Sequence, residues 1–99
     1  MKIINEKEFE NEIKEGTVLV DFFATWCMPC RMMSQILEEV DRELDGKGKI
    51  VKVDVDQNEN LAKKFGVMSI PTLVLFKDGK MVSKNVGVMQ KNDCLNLFK

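Results

Sequence analysis

VLVDFFATWCMPCRMM, residues 18–33, runs from an apolar strand pattern through two cysteines into a helical pattern. Thr17 to Phe23 is β-branched and aromatic, and apolar on both faces apart from Asp21. A run of that kind predicts a central strand covered on both sides. Pro29 suits the first turn of a following helix, where its missing N–H costs nothing. Met32, Met33, Ile36, Leu37 and Val40 then recur at helical spacing as far as Leu44, and Gly46 and Gly48 close the helix. The stretch therefore reads strand, loop, helix, with Cys27 and Cys30 at the seam.

The flanking sequence extends this pattern in both directions. Ile3-Ile4 suggests a short first strand. Asn5-Glu6-Lys7-Glu8 has the form of a capping box and predicts a helix over roughly residues 6–14, ended by Gly16. Lys49 to Val55 predicts a third strand, with Ile50 on one side of the sheet and Val51, Val53 and Val55 on the other. Asp56-Gln57-Asn58-Glu59 suggests a second capping box, opening a helix to Phe65 with Gly66 just past its end. Thr72–Phe76, Lys77-Asp78-Gly79-Lys80 and Met81-Val82 predict a hairpin by turn chemistry, and a last helix is expected over residues 91–98. Strands alternating with helices predict a layered α/β fold with parallel strands, to which the hairpin adds an antiparallel part. No linker, repeat or low-complexity stretch interrupts residues 1–99, so one domain is expected.

Apolar content of 44% and charged content of 31% are ordinary for a globular protein. A net charge of -1 gives no electrostatic reason to bind nucleic acid or an anionic membrane. The apolar runs are too short to span a bilayer. Lys2 is followed by two apolar residues and then by polar ones, which does not read as a signal peptide. A cytoplasmic protein is the expectation. In a reducing cytosol a C-x-x-C pair is more often catalytic or metal-binding than structural.

Two cysteines at this spacing can hold a metal, form an inert clip, or cycle between dithiol and disulfide. A structural zinc site wants four protein ligands, whereas only Cys94 remains and the chain has no histidine. That absence also removes Cys–His and Ser–His–Asp nucleophile systems. Redox cycling fits the placement. A loop after a central strand exposes Cys27 at the carboxyl edge of the sheet, and the next helix aims its N–H groups and dipole there, favouring a thiolate. Cys30 lies one turn along, expected deeper, which makes Cys27 the attacking nucleophile and Cys30 the resolving thiol. Asp21 is the one charge in an apolar strand, and burial should raise its pKa.

Over essentially its whole length the sequence resembles the thioredoxin family. The matching stretches are VLVDFFATWCMPCRMM, VKVDVDQN, LAKKFGVMSIPTLVLFKDG and Val86-Gly87. The resemblance implies the thioredoxin fold, a three-layer α/β/α sandwich with a central mixed sheet of about five strands and four helices. It implies protein-disulfide reduction, an oxidoreductase acting as an electron carrier in cell redox homeostasis. Cys27 and Cys30 match the redox pair, Asp21 the buried acid that shuttles a proton for Cys30, and Lys52 the lysine beside that acid. Trp26, Met28, Pro29, Ile70, Pro71 and Gly87 fall at the substrate surface, with Pro71 matching a cis proline and Ile70 offering its backbone to an extended substrate segment. Re-reduction is expected from a thioredoxin reductase, a flavoenzyme, since the chain carries no cofactor motif. A glutathione-linked, glutaredoxin-like protein and a binding module without turnover are the alternatives.

The chain also departs from the family. Met28 stands where glycine is typical, which could enlarge an apolar docking patch or change partner preference. Gln35 replaces a frequent helix-kinking proline, and Phe23 a common tryptophan. Cys94, on the apolar side of the last helix with Leu97 and Phe98, is expected to be a buried, inert thiol. No extra apolar stripe suggests self-association, so a monomer is expected.

Overall fold

A computed structural model describes residues 1–99. Nine elements follow in order: β1 (Lys2–Ile3), α1 (Glu6–Ile13), β2 (Thr17–Phe23), α2 (Met28–Leu44), β3 (Lys49–Asp54), α3 (Glu59–Lys64), β4 (Thr72–Lys77), β5 (Lys80–Val86) and α4 (Lys91–Leu97). The five strands form one sheet in the order β1-β3-β2-β4-β5. β3 runs parallel to β1 and β2, while β4 is antiparallel to both β2 and β5. β2 is thus the middle strand, and from Val18 to Phe23 it is buried throughout.

Alternation along the strands sends side chains to two separate cores. One face carries Val18, Val20, Phe22, Val51, Val53, Val74 and Phe76, and packs on Phe9 and Ile13 of α1 and Leu61 of α3. The other carries Leu19, Ile50, Leu73 and Leu75, and packs on Met33, Leu37, Val40 and Leu44 of α2 and Cys94 of α4. The result is the expected three-layer α/β/α arrangement with a mixed sheet.

Local chemistry sets the element ends. Asn5 Oδ1 accepts from Glu8 N at 3.0 Å and Glu8 Oε1 accepts from Asn5 N at 3.0 Å, a complete capping box. The hairpin turns on Asp78 and Gly79, with φ of 50° and 84°, the two positive values that a two-residue turn matched to strand twist requires. Asp78 Oδ1 also accepts from Gly16 N at 2.8 Å, tying this turn to the loop after α1.

Two expectations fail. The second capping box is absent: α3 starts at Glu59, and its N-cap Asn58 makes no side-chain cap bond. Asn58 is buried and bridges elements instead, its Oδ1 accepting from Glu6 N and its Nδ2 donating to Asp54 O. Met32, grouped with the core by its spacing, is 58% exposed, because the buried stripe of α2 runs through Cys30, Met33, Leu37, Val40 and Leu44.

Candidate active site

The site lies where β2 ends and α2 begins. Cys27 is the N-cap of α2, with φ −92° and ψ 112°, so its Cβ is directed to the orphan N–H groups of the first turn. Cys30 N donates to Cys27 Sγ at 3.2 Å. A sulfur in the place of a capping oxygen is stabilised most when it is an anion, because both the N–H and the helix dipole favour negative charge. Cys27 and Cys30 are joined by a disulfide, with Cα atoms 5.2 Å apart. Their exposures are 4% and 3%, so burial does not rank the two sulfurs, and the cap position does.

Residues distant in sequence complete the surroundings. Phe23, Ala24, Val55 and Ile70 pack around the pair. Ile70 O lies 3.9 Å from Cys27 Sγ, and the Ile70–Pro71 peptide is cis. Pro71 is buried, and its carbonyl accepts from Gly87 N at 2.8 Å, which fastens the start of β4 to the end of β5. Trp26 is 68% exposed and its Nε1 donates to Asp56 Oδ2 at 2.8 Å. Met28 is 63% exposed, with Arg31 Nη1 3.8 Å from its sulfur. Pro29 is exposed in the first turn of α2. A mostly apolar hollow of about 180 Å³ lies between Trp26, Val55, Val67, Met68, Ser69 and Ile70. A larger concavity, about 490 Å³, sits between the end of α2 and α4 near Phe98, remote from the sulfurs, so size does not mark the site.

The two charged residues expected at the site, Asp21 and Lys52, lie on the neighbouring strands β2 and β3. Asp21 is fully buried, and neither of its carboxylate oxygens has a hydrogen-bond partner. Burial pushes its carboxyl up to about 7, against a weaker downward pull from the Lys52 charge. Lys52 is opposite Asp21 in the parallel β2–β3 register, within the sheet rather than at its edge. Its ammonium does not bond Asp21. It donates to Ser34 Oγ at 2.9 Å and lies 4.5 Å from the Phe23 ring centre. Cys30, Ser34, Arg31, Phe23 and Lys52 border an opening of about 220 Å³. Cys94, on the inner side of α4, is fully buried, and burial, with Asp93 and Asp21 adding, pushes its thiol up to about 11.

Sequence reasoning did not find Asp56 or Ser34. In sequence Asp56 has the form of a capping-box residue, and a serine within a helix gives no sign of a partner on a strand. No group of three or more His, Cys, Asp or Glu is arranged to hold a metal ion, and no helix is long and apolar enough to cross a membrane.

Known proteins share this arrangement. The Thioredoxin family model matches residues 1–99. A thioredoxin of Staphylococcus saprophyticus is 50% identical over 97% of this chain and 92% of its own. One of Bacillus subtilis is 52% identical over 87% of this chain and 83% of its own. The solved structure of Fasciola hepatica thioredoxin superposes with a TM-score of 0.86 at 35% identity, covering 100% of both chains. These matches do not favour the glutathione-linked alternative.

Proposed function

Because the chain belongs to the thioredoxin family and is a protein-disulfide oxidoreductase working by thiol–disulfide exchange, we propose the following division of labour among its residues. The observation that carries it is the Cys27 sulfur seated as the cap of α2, receiving the Cys30 N–H at 3.2 Å. In the reduced protein that position favours the Cys27 thiolate. The thiolate attacks one sulfur of a substrate disulfide, and the other substrate sulfur leaves as a thiolate. The Cys30 thiol gives its proton to Asp21, a carboxyl whose acidity near pH 7 suits both taking and returning one. Cys30 thiolate then attacks Cys27 Sγ, the second substrate thiolate leaves, and two electrons have passed to the substrate. Lys52, opposite Asp21 in the sheet and at the wall of the opening that Cys30 also borders, supplies positive charge beside that proton route.

Substrates are disulfide-bearing protein segments. They lie across Trp26, Met28, Pro29 and the hollow at Ile70, and take strand-like hydrogen bonds from the Ile70 backbone beside Pro71, with Gly87 at the rim. A thioredoxin reductase returns the electrons. The chain acts in the cytoplasm as one domain and as a monomer.

Trapping of the mixed disulfide tests the assignment. Cys30→Ser should accumulate a covalent complex with a disulfide substrate, and Cys27→Ser should accumulate none. The reverse pattern would exchange the two roles. Met28 bears on partner choice: Met28→Gly should alter the relative rates with several substrates and with the reductase, and equal ratios would remove it from the docking surface.

A further inference from the structure

Lys52 has two anionic or polar groups it could serve, and it serves the neutral one. Register brings it beside Asp21, a buried carboxylate without a single hydrogen-bond partner. A buried, unpaired carboxyl is costly, and an ammonium donating directly to it would relieve much of that cost. Lys52 Nζ instead donates to Ser34 Oγ, 2.9 Å away on the first turns of α2, and rests over Phe23 with 4.5 Å to the ring centre. Ser34 and Phe23 therefore hold the ammonium from two directions, at the wall of the opening that Cys30 also borders.

We propose that Ser34 is a positioning residue, whose hydroxyl holds the Lys52 ammonium at the opening beside Cys30 and off the Asp21 carboxylate. The proposal rests on the reading of Asp21 as the proton acceptor, and it names what keeps that acceptor available. A carboxylate tightly paired with an ammonium ionises at low pH and is a poor base near neutrality. Lys52 on its serine tether contributes a weaker pull and leaves the carboxyl to take up a proton near pH 7. Of the other titratable groups, Cys94 on α4 feels the Asp21 charge, and Cys30 and Arg31 on α2 border the opening that Lys52 also lines. Cys94 stays a neutral thiol in this range, and Leu73, opposite Asp21 on β4, is apolar.

The test is the titration of Asp21 in the oxidised protein, where Cys27 and Cys30 cannot titrate, followed by the ¹³C shift of its carboxyl carbon. The wild-type midpoint should lie at about 7. Ser34→Ala frees Lys52 to approach the carboxylate and should lower the midpoint by about one pH unit, the low end of the effect of an adjacent opposite charge. Ser34→Thr keeps the hydroxyl and should retain the wild-type midpoint. In a Lys52→Met background, Ser34→Ala should move nothing. An unmoved midpoint in Ser34→Ala overturns the proposal, as does an equal shift with and without Lys52. The pH profile of mixed-disulfide resolution separates the two readings. A midpoint that moves while that profile stays put leaves the Ser34–Lys52 link standing and removes Asp21 from the proton path.

Discussion

The two faces of the sheet are built to different standards. On the face covered by α1 and α3, every buried residue of the cluster is apolar, and Phe9, Phe65 and Phe76 interlock with ring centres 5.3 to 5.5 Å apart. On the face covered by α2 and α4, the middle strand places a carboxyl, Asp21, at full burial, and α4 contributes a thiol, Cys94. Both faces come from the same strand by alternation, one residue apart. A face that only has to be stable fills with hydrocarbon. The second face, on the proton route proposed for Asp21, gives up hydrocarbon for a group able to change charge, and the first face is the one free to supply stability against that cost.

The comparison breaks first if the structural face is weakened. Phe76 is 1% exposed and meets Phe9 and Phe65 edge-on. Phe76→Ala should destabilise the protein by about 3–5 kcal/mol, with little dependence on pH and with the redox couple intact where the protein is folded. Denaturant unfolding at several pH values checks this. A loss below about 1 kcal/mol would mean that the face is not the stabilising one.

The chemical face should show its cost as a slope with pH. Asp21 is raised from 3.8 to about 7, so the folded state holds its proton over a range where the unfolded chain releases it. Stability from this group is complete below pH 4 and is lost as pH rises through about 7, for a loss of at most about 4 kcal/mol. Asp21→Asn should remove that decline, leaving the variant relatively most favoured above pH 7. Glu12, held below its ordinary range by hydrogen bonds to Lys2 and Lys49, acts in the opposite direction in both proteins and cancels from the difference. Parallel curves for wild type and variant would show that burial of Asp21 costs nothing.

These two faces differ in how well sequence alone conveys them. The division of β2 and β3 residues between the cores follows from a period of two, and the Asn5 capping box and the Asp78-Gly79 turn need only neighbours in sequence. Cys27 and Cys30 stand out for the same reason. What escaped depends on contacts across the fold. Asn58 has a capping residue's chemistry but satisfies the Glu6 N–H, 52 residues away. Asp56 is claimed by the Trp26 indole, and Lys52 by Ser34 on another element. Ile70, Pro71 and Gly87 reached the site through family resemblance, since spacing does not place a carbonyl 43 residues on against Cys27. Met32 is not legible because a methionine at helical spacing looks the same whether it faces the sheet or solvent.

The smallest effect should come from the second group that sets the chemical face apart. Cys94 is as buried as Asp21, yet its environment acts on it to the opposite end. Both groups are driven toward their neutral form, but a thiol pushed up to about 11 starts neutral and stays so, whereas a carboxyl at about 7 sits where a proton can come and go. The same desolvation therefore makes one group responsive and silences the other. Cys94→Ala should cost about 1 kcal/mol, roughly one buried methylene-sized group, and leave the reduction potential of the Cys27–Cys30 couple unchanged. Iodoacetamide should label Cys94 in the oxidised protein only after unfolding, since the thiolate is the reactive form and little of it exists under native conditions. Rapid labelling of the folded protein, or a displaced potential in Cys94→Ala, would make this thiol part of the chemistry and turn the second face into a three-sulfur site.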